Sequence, residues 1–151
     1  MRQATEADRR GCVEQFARVA DERDGIATEG PVDVESRLDS WDLDGTIAAV
    51  ADGKVIGSLH IWETRHGFGE LGMSVDKEWR GRGVGSALME AAIARAREHG
   101  LHKLSLEVFA HNDAGIALYR KFGFVEEGRR VQQYRRQSGE LWDSIVMGLL
   151  L

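Results

Sequence analysis

With 151 residues, 42% apolar and 30% charged, the chain is long enough to bury roughly 70% of the surface its unfolded form exposes, so it needs no metal or disulfide staple. One cysteine, Cys12, excludes an intramolecular disulfide. A net charge of −5 lacks the basic surplus of a general nucleic-acid binder and suits a cationic partner such as an amine.

The first residues, Met1-Arg2-Gln3-Ala4-Thr5-Glu6, are polar, and no apolar run reaches transmembrane length. These features predict a soluble, cytoplasmic protein with no membrane partner. Without repeats or a Pro/Ser-rich linker, residues 1–151 read as a single domain. A short strand precedes a helix starting near Thr5 or Asp8, with Val13, Phe16, Ala17 and Ala20 as its apolar stripe. Residues 21–31 form an acidic, glycine-containing connection, and a short helix is expected over residues 32–39. Strands over 46–51 and 54–63 flank Asp52-Gly53, a dipeptide suited to a two-residue hairpin turn. A third strand covers 70–75. Residues 83–99 are a helix with Val84, Ala87, Leu88, Ala91 and Ala94 on one face, stopped by Gly100.

Leu104, Leu106 and Val108 then alternate with Lys103, Ser105 and Glu107, as in a strand. Asn112 or Asp113 caps a short helix running through Phe122 and ended by Gly123. Two last strands, 124–134 and 141–149, have Ser138-Gly139 in their turn. This order predicts an α/β (α+β) fold with a mixed sheet and helices on both faces.

Trp79-Arg80-Gly81-Arg82-Gly83-Val84-Gly85-Ser86 joins a strand to the long helix. Glycines there allow a tight bend and let amides approach a ligand. The first helical amides lack internal partners, and the helix dipole favours negative charge. The turn is therefore an anion site suited to pyrophosphate, with Arg80 and Arg82 adding charge. A plain tight connection is the simpler reading. The missing Gly-Lys-Ser/Thr ending excludes a P-loop. A dinucleotide fingerprint fails at Ser86, although Glu107 stands about where its ribose acid belongs.

Here the sequence resembles the GNAT superfamily of N-acetyltransferases. Arg80-Gly81-Arg82-Gly83-Val84-Gly85 matches that family's Gln/Arg-x-x-Gly-x-Gly/Ala cofactor signature. Asn112-Asp113-Ala114-Gly115-Ile116-Ala117-Leu118-Tyr119, followed by Phe122-Gly123-Phe124, is similar to its second motif. Leu106-Glu107-Val108 looks like the preceding strand of the bacterial ribosomal-protein, amino-acid and small-amine branch. The match runs over residues 71–124.

The resemblance implies a GNAT fold: a mostly antiparallel sheet of six to seven strands, splayed at the centre. It implies acetyl-CoA as co-substrate, with no metal. The pyrophosphate would be held by Arg80, Gly81, Arg82, Gly83, Val84, Gly85 and Ser86. The pantetheine arm would pair with the backbone of Met73, Ser74 and Val75, one amide polarising the thioester carbonyl, with Gly72 permitting the distortion. Asn112 would contact the CoA arm, or be a cap alone. Tyr119 would bind CoA and act as general acid to the departing thiolate, unless it is a core tyrosine.

An acceptor ammonium must lose a proton before it attacks. Glu107 comes first as base by the resemblance, then Glu70, then Glu63; each also reads as a solvated strand glutamate. The implied reaction is direct attack by a primary amine in a ternary complex. The acceptor would be a small-molecule amine or a protein N-terminus. Asp21, Glu22, Asp24 and Glu29 would attract it or form a solvated loop. The scattered histidines suggest no metal site, and the four tryptophans read as packing. Relatives of this kind also pair as homodimers. Two other classes fit the sequence: a catalytically silent CoA-binding sensor and a nucleotide-binding oxidoreductase.

Overall fold

The computed structural model describes all 151 residues. Strand β1 (Arg2–Gln3) leads through a one-turn 3-10 segment into α1 (Arg9–Asp21) and α2 (Val34–Leu38). The Asp33 side chain caps α2 by accepting from the Ser36 amide. Strands β2 (Thr46–Ala51) and β3 (Lys54–Glu63) follow. Their turn has positive φ at both Asp52 (51°) and Gly53 (75°), the backbone a two-residue hairpin demands. After β4 (Phe68–Val75) come α3 (Val84–Glu98), β5 (Lys103–Phe109), α4 (Asp113–Lys121), β6 (Val125–Arg135) and β7 (Leu141–Leu150). Gly100 (φ 72°) ends α3 and Gly123 (φ 98°) ends α4, as expected where a helix closes in left-handed backbone.

All seven strands share one sheet, in the order β1-β2-β3-β4-β5-β7-β6. Every pairing is antiparallel except β4 with β5. Alternation along β2 sends its side chains to both faces. Ile47 and Ala49 join Leu88, Met89, Ala92 and Ala96 of α3 in the larger core, with Leu59 and Ile61 of β3. Ala48 packs on the other side with Cys12 of α1 and Val55. Helices thus cover both faces. Gln15, fully buried on α1, accepts from the hydroxyls of Ser58 and Ser74, each at 3.1 Å, and so ties α1 to β3 and β4.

The parallel pairing of β4 and β5 runs from Phe68↔Lys103 to Leu71↔Leu106 and stops. β4 continues to Val75 on its β3 partner, and β5 continues to Phe109 on β7. The two central strands therefore part, and the β5-facing backbone groups of Gly72 to Val75 have no strand to pair with. This is the expected central splay.

Candidate active site

Two cavities meet where β4 and β5 part. Gly25, Ile26, Met73, Ser74, Asn112 and Tyr119 line both.

One, of about 600 Å³, runs along the glycine turn, past Val75, Arg80, Gly81, Gly83, Gly85 and Ser86, to the start of α4. Arg80 is extended, then Gly81 (φ 72°) and Gly83 (φ 85°) bend left-handed into α3, whose first amides carry no side-chain cap. Nothing lies within 4 Å of where a Cβ would stand at Gly81 or Gly83. The bend is an open cradle with unpartnered amides at the positive end of a helix, and it fits a pyrophosphate. Gly85 also borders this cavity, and a Cβ there would sit 3.1 Å from Leu118 Cδ2 and 3.6 Å from Met73 Cε. Asn112 caps α4 by accepting from the Gly115 amide at 3.0 Å, and it also lines the cavity.

The two arginines of the turn are not free cations facing this space. The Arg80 guanidinium donates to both oxygens of Glu22 at 2.7 Å, and its Nε donates to the Val75 carbonyl at 3.0 Å. Arg82 stacks on the Trp79 ring at 4.1 Å, and Val84 packs against the core. Arg80 borders the cavity in this paired state, and Arg82 does not line it. Lys121, which the sequence reading did not single out, reaches Ser86 Oγ at 3.4 Å.

The other cavity, of about 510 Å³, is walled by Phe16 of α1, Arg37 of α2 and Trp41. His60 and Trp62 of β3, Glu107 and Phe109 of β5, and Tyr134 and Ser144 of the last hairpin complete it. Glu107 Oε1 accepts from the buried Ser144 hydroxyl at 2.5 Å, and its Oε2 lies 3.6 Å from Arg130. The Tyr134 phenol is pushed up by burial and then by the Glu107 carboxylate.

Tyr119 stands between the cavities, only 8% exposed. Burial pushes its phenol up to about 12, because the charged phenolate is the form that burial disfavours. The hydroxyl therefore holds its proton throughout the neutral range.

Glu70 stands apart from this constellation. It is exposed in the part of β4 still paired with β5 (Glu70↔Ser105), before the splay opens, and lines neither cavity. Glu63 is bound to His99 Nδ1 at 2.5 Å, at the far end of α3.

Of the acidic connection, Asp21, Glu22 and Asp24 are exposed, and Glu22, Asp24 and Glu29 are engaged within the protein. Glu22 holds Arg80, Asp24 holds His111 at 2.9 Å, and Glu29 accepts from the Gln137 amide at 2.9 Å beside Arg136 Nε at 3.2 Å. Arg136, 5% exposed, donates to the Ala27 carbonyl at 2.9 Å and lies over the rings of Phe109 and Trp142. Its contacts with Ala27 and Glu29 have no local sequence signal, since those partners lie more than 100 residues earlier in the chain.

Residues 13–124 match the model of the acetyltransferase (GNAT) family. The chain is 34% identical to the L-amino acid N-acetyltransferase AaaT of Escherichia coli, over 67% of this chain and 65% of that protein. It is 32% identical to the L-methionine sulfoximine/L-methionine sulfone acetyltransferase of Pseudomonas aeruginosa, over 100% of this chain and 94% of that protein. Some curated relatives are longer, and the stretch matched is only 33% of one of them. Among solved structures, a ribosomal-protein-alanine N-acetyltransferase from Brucella melitensis superposes with a TM-score of 0.88 at 31% identity, over 99% of this chain and 98% of that one.

Proposed function

The chain belongs to the acetyltransferase (GNAT) family, and from that premise we propose that it moves the acetyl group of acetyl-CoA directly onto a primary amine, as one cytoplasmic domain holding both substrates in a ternary complex. The observation that carries this reading is the pair of cavities sharing one wall at Met73, Ser74, Asn112 and Tyr119. Each substrate has its own way in, and the reacting atoms meet at the splay.

In this reading the amides around Gly81, Gly83 and Ser86 hold the pyrophosphate. The unpaired backbone of Gly72 to Val75 takes the pantetheine arm, and one amide there polarises the thioester carbonyl. A donor so placed is worth about 3 kcal/mol of barrier. Glu107, held by Ser144, receives the proton the ammonium must lose, directly or through a water. The amine nitrogen bonds to the carbonyl carbon, the carbon–sulfur bond breaks, and Tyr119 gives the departing sulfur its proton. No covalent acyl-enzyme is needed; Cys12, the only thiol, is buried and pushed up to about 11.

The relatives' acceptors, amino acids, a sulfone analogue of methionine and a ribosomal-protein alanine, support an amine acceptor, either a small molecule or a protein N-terminus. The test is release of free CoA thiol from acetyl-CoA across a panel of amines. Amine-dependent release at a rate well above hydrolysis is expected. Acetyl-CoA binding without amine-dependent release would instead point to a silent sensor.

A further inference from the structure

The acceptor cavity has a charge pattern that narrows its substrate. Its lining carries Arg37, Asp42 and Glu107, with His60. Asp42 faces His60 Nε2 at 3.4 Å, and burial lowers His60, which keeps it neutral near pH 7. Glu107 is held by Ser144 at the end of the cavity shared with Tyr119. That leaves Arg37 as the one cation in the lining. No carboxylate of the protein lies within ion-pair distance of it, whereas Arg9 and Arg10 nearby are paired to Glu6 and Glu35. The Arg37 guanidinium instead lies over the Phe16 ring, 5.1 Å from its centroid, and Phe16 packs edge-on to Trp41. The lining thus offers an unpaired planar fork on α2, carboxylates at Asp42 and at Glu107 of β5, and aromatic rings.

We propose that the acceptor is a small zwitterion, an amine that carries its own carboxylate on an apolar body, anchored through Arg37. The proposal rests on the acetyl-transfer reading above and names its substrate class. A guanidinium without a partner suits a carboxylate, which it grips through two parallel hydrogen bonds. The same charge disfavours a polyamine, whose second ammonium it would repel. A protein N-terminus continues as a peptide and brings no carboxylate to that wall. The volume, about 510 Å³, suits a small ligand, and the aromatic wall suits an apolar side chain.

The experiment compares L-phenylalanine, L-phenylalaninamide and 2-phenylethylamine with the wild-type protein and with Arg37→Gln and Arg37→Lys. Binding is followed by the fluorescence of Trp41 and Trp62, which line the cavity, and turnover by thiol release. The wild type should favour the acid over the amide by about 10- to 100-fold in KM, the usual effect of one charge-assisted contact. Arg37→Gln should erase that preference by weakening the acid alone, with kcat little changed, and Arg37→Lys should restore part of it. Equal handling of acid and amide by the wild type, or a preference that survives in Arg37→Gln, would overturn the anchor. If the acid binds selectively but no amine releases thiol, the anchor stands and the acetyl-transfer reading falls.

Discussion

Tyr119 has the simplest chemistry at the site and the clearest pH consequence. Its folded-state value is raised to about 12 by burial, so the proton it would donate in the proposed reaction is present throughout the neutral range. An ordinary thiol titrates near 8.5, so full transfer to a solvated thiolate would be uphill. In the proposed reaction the departing sulfur would leave beside this buried phenol, where burial would raise its proton affinity too. Tyr119→Phe should lower kcat by about 100-fold while leaving acetyl-CoA affinity nearly unchanged, measured by steady-state turnover and calorimetry. The sign of the shift also predicts that the wild-type rate shows no alkaline fall from this phenol below about pH 11. A fall near pH 10 that disappears in Tyr119→Phe would mean that the hydroxyl is not buried as described.

At the scale of elements, the cofactor cradle depends on the backbone of one turn. Gly83 has φ of 85° with open space where a Cβ would go. Gly83→Val would force a β-branched residue into left-handed backbone, at a cost of roughly 1–2 kcal/mol, and push its side chain into the cradle. Acetyl-CoA affinity should fall at least about tenfold by calorimetry while the fold is kept. The elements themselves were legible because each has a local physical signature. Asp52-Gly53 announced the hairpin, Asn112 the cap, and Gly100 and Gly123 the helix ends. The cavity walls were not legible, because Phe16, Trp41, Trp62 and Ser144 come together only through tertiary packing. Phe16 lay on a helical apolar stripe and Trp41 and Trp62 read as packing, as most such residues are. Arg80 was assigned to the ligand from its place in the motif. Its carboxylate partner, Glu22, comes 58 residues earlier, a distance at which sequence spacing carries no pairing information. Glu70, where the sequence predicts the central strand to begin, ranks behind Glu107, which the resemblance places first; in the structure Glu107 lines a cavity, whereas Glu70 lies where β4 and β5 are still paired and lines neither.

For the whole molecule, the β4–β5 contact is the one parallel pairing in the sheet, and the sheet opens there. The connection from Asp21 to Pro31 then ties the glycine turn, the start of α4 and the last hairpin together through Glu22, Asp24 and Glu29. Its Gly25 and Ile26 border both cavities, so one strap spans the two. The central claim is that donor and acceptor occupy these adjoining cavities together and react directly. Initial rates of thiol release, with acetyl-CoA and L-phenylalanine each varied at several fixed levels of the other, test it. Direct transfer in a ternary complex predicts double-reciprocal lines that intersect. Parallel lines would signal an acetylated enzyme, formed as CoA leaves and before the amine binds, and would contradict the account.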